Sequence, residues 1–147
     1  MIEAATIIDR LKSTLPELGS VEGAAELAAL MAAPAQVWAK PRAHVVPLGV
    51  RGGAVQDFAG AFVQGIEFSF AVFLTFAAHG DRKGAKALDD VSATQNAVIA
   101  TLCGWVPPGS TSSGDVRLSR GYLAELKPGV VVYALEFSVP DQLRILP

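Results

Sequence analysis

Between Phe62 and Ala78 the even positions are almost all large and apolar: Phe62, Ile66, Phe68, Phe70, Val72, Leu74 and Phe76. The intervening Val63, Gly65, Glu67, Ser69, Ala71, Thr75 and Ala77 are smaller or polar, with Phe73 the exception. In an extended chain a period of two sends alternate side chains to opposite faces, so this run predicts a long central strand with one face buried. The alternation returns near the end of the chain. Val131, Tyr133, Leu135, Phe137 and Val139 predict a strand, and Val116, Leu118, Tyr122, Ala124 and Leu126 read as the apolar face of the strand before it. Lys127-Pro128-Gly129 supplies the turn that makes the two a hairpin.

Other stretches carry a helical period. Ala4, Ile7, Ile8, Leu11 and Leu15 recur at steps of three and four until Pro16 stops them, which predicts a short amphipathic helix. A second short helix is expected over Ala24 to Met31, with Ser20 as its cap and Pro34 as its end. A long one is expected from Gly84 to Cys103. Its stripe is Leu88, Val91, Val98, Ile99 and Leu102, Asp81 is its expected cap, Gly104 its left-handed terminator, and Pro107-Pro108 prevents resumption. His44 to Val50, β-branched and holding Pro47, reads as an edge strand. The glycine-rich stretch Arg51 to Gly60 reads as a flexible loop or the tip of a long hairpin, and Gly109 to Gly114 as a small polar connection. The order predicts an α+β fold: a mixed, mostly antiparallel sheet built around one long central strand, with helices packed on one face as an α/β sandwich.

Composition narrows the function more than the fold. A chain of 147 residues fits a single domain spanning 1–147. At 51% hydrophobic and 18% charged it is more apolar than an average soluble domain, which points to surface covered by another subunit. The net charge of −2, and the absence of any basic cluster larger than Arg82-Lys83 with Lys86, disfavour specific nucleic-acid binding. One cysteine and no apolar leader fit synthesis in a reducing cytoplasm. Gln64, Glu67, Ser69 and Thr75 argue against a membrane role for the longest apolar run.

No constellation of reactive side chains emerges. His44 and His79 lack metal-ligand spacing, and Cys103 near an apolar helix face reads as a small hydrophobe. Asp89 and Asp90 are neighbours on a helix and diverge. Gly49 to Gly53 lacks the Lys-Ser/Thr ending of a phosphate loop, and Ser110 to Ser113 is not a nucleophile elbow. The expectation is a protein with no catalytic residue, no cofactor and no metal.

Several strings, in order, resemble the tail-terminator proteins of long-tailed bacteriophages and phage-derived particles. They are Ile7-Ile8-Asp9-Arg10-Leu11-Lys12, then Val21 through Leu30, then His44-Val45-Val46-Pro47-Leu48-Gly49. Leu102 through Gly109, Gly121-Tyr122-Leu123 and Tyr133-Ala134-Leu135-Glu136-Phe137 complete the set. The resemblance implies a non-enzymatic virion protein of the tail neck, assembled in the host cytoplasm. It would form a homohexameric ring on the last ring of tail-tube protein, halt tube polymerisation, and present the surface that head-completion or connector proteins join. Genomic DNA would pass through the lumen without specific binding, and six copies at −2 would carry a formal charge of −12. A ring needs two unlike patches on each subunit. The first expected subunit or tube contact is the Arg51 to Gly60 stretch, namely Arg51, Gly52, Gly53, Val55, Asp57 and Phe58; the second is Arg117 and Arg120 on the closing hairpin. Other readings are a different neck component, such as a head–tail joining or tail-completion protein, or a small-molecule-binding α+β domain.

Overall fold

The computed structural model describes residues 2–32, 40–77, 85–108, 114–127 and 129–147, without the side chains of residues 57, 58 and 85–88. The chain runs α1 (Ala4–Thr14), β1 (Ser20–Glu22), α2 (Ala24–Ala32), β2 (Arg42–Phe58), β3 (Ala61–Ala77), α3 (Ala85–Leu102), β4 (Arg117–Lys127) and β5 (Val130–Ile145). The strands form one open, mixed sheet in the order β1-β2-β3-β5-β4, so the fold is α+β with the long β3 at its centre. β1 pairs parallel with β2, and the other neighbours pair antiparallel.

The period of two in β3 sets the core. Phe68, Phe70, Val72, Leu74 and Phe76 are buried on one face. Their partners on that face are Ala43 and Val45 from β2, and Tyr133, Leu135, Phe137 and Val139 from β5. α1 and α3 cover this layer with Ile7 and Leu11, and with Val91, Val98 and Leu102. Arg10 ties the two helices together, donating from Nε to the Thr101 carbonyl at 3.2 Å while its guanidinium lies 4.9 Å from the centre of the Trp105 ring. Gly104, at φ +80°, ends α3 as its lack of a Cβ permits, and its N–H donates to the Val116 carbonyl.

Four expectations need correction. Ser20 does not cap a helix: it opens β1, paired with Arg42, and α2 starts four residues later. His44 to Val50 is only part of a strand of 17 residues, and β2 forms the sheet edge only beyond the three-residue reach of β1. Arg51 to Phe58 is not a loop. It is the far half of β2, closed on β3 by a two-residue turn at Ala59-Gly60, so the hairpin-tip reading holds. The apolar residues of β4 do not share one face, because irregularities between Leu118 and Arg120 and between Leu123 and Glu125 each shift the alternation. Leu118, Leu123 and Leu126 therefore lie on the helix-bearing face, and Arg120, Tyr122 and Glu125 on the other. The expected cap Asp81, the turn residue Pro128 and the Gly109 to Ser113 connection lie outside the described residues, as does the side chain of Leu88.

Candidate functional site

The two groups of residues expected to make contacts stand on opposite margins of the sheet. Arg51, Gly52, Gly53 and Val55 belong to the outer half of β2, with Asp57 and Phe58 paired to Phe62 and Ala61 at its tip. Arg117 and Arg120 belong to β4 at the other margin. β3 and β5 separate them, so the margins are three strand spacings, or ~14 Å, apart. The structure keeps the groups apart and gives the molecule two unlike edges.

Beyond the rows of Phe68 and Val139, β2, β3 and β5 continue as a three-stranded arm that no helix among the described residues covers. On the face continuous with the core it carries Val50, Val55, Leu143 and Ile145, exposed by 48, 52, 39 and 55%, together with Gln64 and the buried Asp141. Ile66 and Phe62 on the same face are only half-buried. The apolar period of β3 thus continues past the helices at Ile66 and Phe62, broken by Gln64 between them. The opposite face of the arm carries Arg51, Glu67 and Arg144 together with the buried Val63.

Two irregularities interrupt β2, between Pro47 and Gly49 and between Gly52 and Val55. In the second, Gln64 Nε2 donates to the Gly53 carbonyl at 3.0 Å. β4 also carries two, together with Arg117, Arg120 and Lys127. Bulges, proline and charged side chains blunt a sheet edge against indiscriminate strand addition. Contacts at either margin are thereby steered toward side chains.

Both arginines of β4 already have carboxylate partners within the chain. Arg117 Nε donates to Asp115 at 3.0 Å, and Arg120 Nε donates to Glu136, with its guanidinium 4.6 Å from the centre of the Tyr122 ring. The hydrogen bond to Glu136, followed by its negative charge, raises the Arg120 pKa further. Both side chains remain about two-thirds exposed, so they can meet another protein as ion pairs rather than as lone cations.

The other residues with possible chemistry do not converge. His44 is buried in β2, its Nε2 3.9 Å from the carboxylate of Glu22. Burial lowers its pKa and Arg42 adds to that, outweighing the opposite pull of Glu22 and Glu26. Cys103 packs against the core at the end of α3 as a small hydrophobe. Asp89 and Asp90 are exposed on α3. A shallow cleft between Lys40-Pro41 and α3 contains Glu17, Lys40, Asp90 and Thr94, with no nucleophile beside a base. Among the described residues no cluster of three or more His, Cys, Asp or Glu side chains could hold a metal, and no helix is long and apolar enough to cross a membrane. His79, Arg82, Lys83 and Ser110 to Ser113 lie outside the described residues.

The sequence reading named residues at both margins and put Leu118 and Leu126 on one face, but did not find Leu123 beside them or the exposed Val50, Leu143 and Ile145 of the arm. The signal for the arm was present in Phe62 and Ile66, which keep the core period where the helices end. A family model described as phage tail terminator protein matches residues 1–145 of the 147-residue chain. No curated protein matches it.

Proposed function

The chain belongs to the phage tail terminator family, a structural family of the phage tail, and from that premise we propose that it caps the head-proximal end of the tail tube as a homohexameric ring. In this role one domain, residues 1–147, stacks on the last ring of tail-tube protein and stops its growth. The opposite side of the ring receives the head-completion or connector protein. DNA passes through the lumen without sequence-specific contact, and the reading needs neither catalysis nor a cofactor. It places the protein in the virion, at the neck of the tail.

The observation that carries the ring is the pair of unlike margins on one sheet, the arm bearing Arg51 to Phe58 and the β4 edge bearing Arg117 and Arg120. A closed ring is built from heterologous contacts, in which one patch meets a different patch on the next copy. Two identical patches would produce a twofold dimer instead. The test is electron microscopy of particles assembled without this protein. The expected result is tubes of uncontrolled length that do not join heads. Tails of normal length that lack heads would reassign the protein to head joining, and normal headed tails would overturn the reading.

A further inference from the structure

On the face of the sheet turned away from α1 and α3, two buried polar atoms have no hydrogen-bond partner: His44 Nδ1 and Thr75 Oγ1. In the register His44 stands opposite Phe73, and Thr75 opposite Arg42. The two are therefore diagonal neighbours across β2 and β3, with their side chains on one face. The buried side chains beside them on that face, Ala71, Val132 and Ala134, are apolar and offer nothing to bond. Native proteins satisfy nearly all such groups, with protein atoms or with ordered water.

We propose that one buried water bridges His44 Nδ1 and Thr75 Oγ1, and that the bridge fixes which ring nitrogen of His44 carries the proton. Spacing is its first support. Diagonal side chains on adjacent antiparallel strands stand about 7 Å apart at Cβ, and the hydroxyl and the ring nitrogen each lie one or two bonds beyond. The remaining gap suits two hydrogen bonds of about 2.8 Å through a single oxygen. A site with two polar partners in apolar surroundings is the kind that holds an internal water.

The supply of donors and acceptors is the second support. His44 Nε2 lies 3.9 Å from the carboxylate of Glu22, its register partner on β1. A carboxylate only accepts, so it favours the proton on Nε2 and leaves Nδ1 with a lone pair that needs a donor. Burial favours the uncharged ring, and Arg42 adds to that against the pull of Glu22 and Glu26. Water completes the chain: the Thr75 hydroxyl donates to its oxygen, and one of its protons goes to Nδ1. The bridge also has a consequence for β1, which is held in the sheet by only three residue pairs. A ring anchored at Nδ1 keeps Nε2 turned toward Glu22, so the water serves the attachment of β1. This holds for the single chain and does not depend on the ring.

The test is NMR spectroscopy of the full chain at pH 7.5. Long-range nitrogen–proton correlation should show His44 protonated at Nε2 and bare at Nδ1. Water cross-peaks to the His44 ring and to the Thr75 side chain should carry the sign of a long-lived water. Thr75→Val, which removes the hydroxyl and nearly keeps the shape, should abolish the cross-peaks to the ring, whereas Thr75→Ser should retain them. A proton on Nδ1 would overturn the proposal, because that nitrogen would then be donating to some other group. Absence of the cross-peaks from the parent protein, or their survival in Thr75→Val, would overturn it equally. The parent spectra decide the question alone should Thr75→Val fail to fold.

Discussion

Phe70 and Phe137 stack across the central strand pair, with ring centroids 5.3 Å apart and planes 19° from parallel. They face each other directly in the β3–β5 register, and both are fully buried. Phe68 adds a further ring 6.2 Å from Phe70. The group marks the point where the sheet, α1 and α3 share one core.

Phe137→Ala should lower stability by about 3–5 kcal/mol, because it leaves a cavity beneath the helices and removes the ring contact. Ile66→Ala, two rows past the helices and half-buried, should cost far less in the free protein. Urea denaturation of the two variants checks the contrast. Equal losses would mean that the arm is covered within the chain.

His44 gives stability a pH dependence of known sign. Burial lowers its folded pKa below the ordinary 6.5, so between the two values the unfolded chain binds the proton and the folded chain does not. Its contribution is fully present above pH 6.5 and declines as pH falls through that value toward the folded pKa. The groups acting on the ring are Glu22 from β1, Glu26 from α2 and Arg42 from β2 itself, and only the two carboxylates favour its charged form. Urea midpoints measured between pH 7.5 and 5.5 should fall for the parent. They should fall less for His44→Phe, and identical slopes would contradict this account.

The turn at the arm tip is strained at one residue. Ala59 adopts φ +50° and Gly60 φ +83°, a two-residue turn with both central residues left-handed, for which Asn-Gly is the favoured pair. Alanine there opposes its own Cβ. Ala59→Asn should stabilise the hairpin by about 0.5–1 kcal/mol, read as slower amide exchange at the arm tip and a small rise in melting temperature. Faster exchange would show that the turn is not held in this form.

Much of this fold was legible because its strongest elements satisfy their period locally. The alternations of β3 and β5, the stripe of α1 and the stop at Gly104 needed no knowledge of distant partners. β1 was not legible, because three residues become a strand only by pairing with Arg42 to His44, and Ser20 carries the chemistry of a cap as well. The outer half of β2 was not fully legible either. Gly52, Gly53 and Gln56 have weak strand preference, and the partner β3 holds them extended. The same limit hid part of the candidate surface: the first irregularity in β4 moves Leu123 onto the face of Leu118 and Tyr122 off it, and the second returns Leu126, while the sequence alone suggests a simple alternation. Which face of each margin carries the exposed apolar side chains depended on register.

Two glycines in the same sheet region should respond in opposite ways to one added methyl group. A Cβ on Gly114 would collide with the backbone carbonyl of Pro140, where the chain entering β4 packs against β5. Neither group is the free end of a side chain, so backbone must shift. Gly114→Ala should cost at least about 2 kcal/mol. A Cβ on Gly65 meets nothing within 4 Å, in a strand where glycine is itself unfavourable. Gly65→Ala should therefore be neutral or gain about 0.5 kcal/mol. Thermal melts of the pair decide the matter, because a domain of this size shifts by roughly 2–4 °C per kcal/mol. Similar melting temperatures for both variants would mean that the Gly114–Pro140 approach is not maintained in solution.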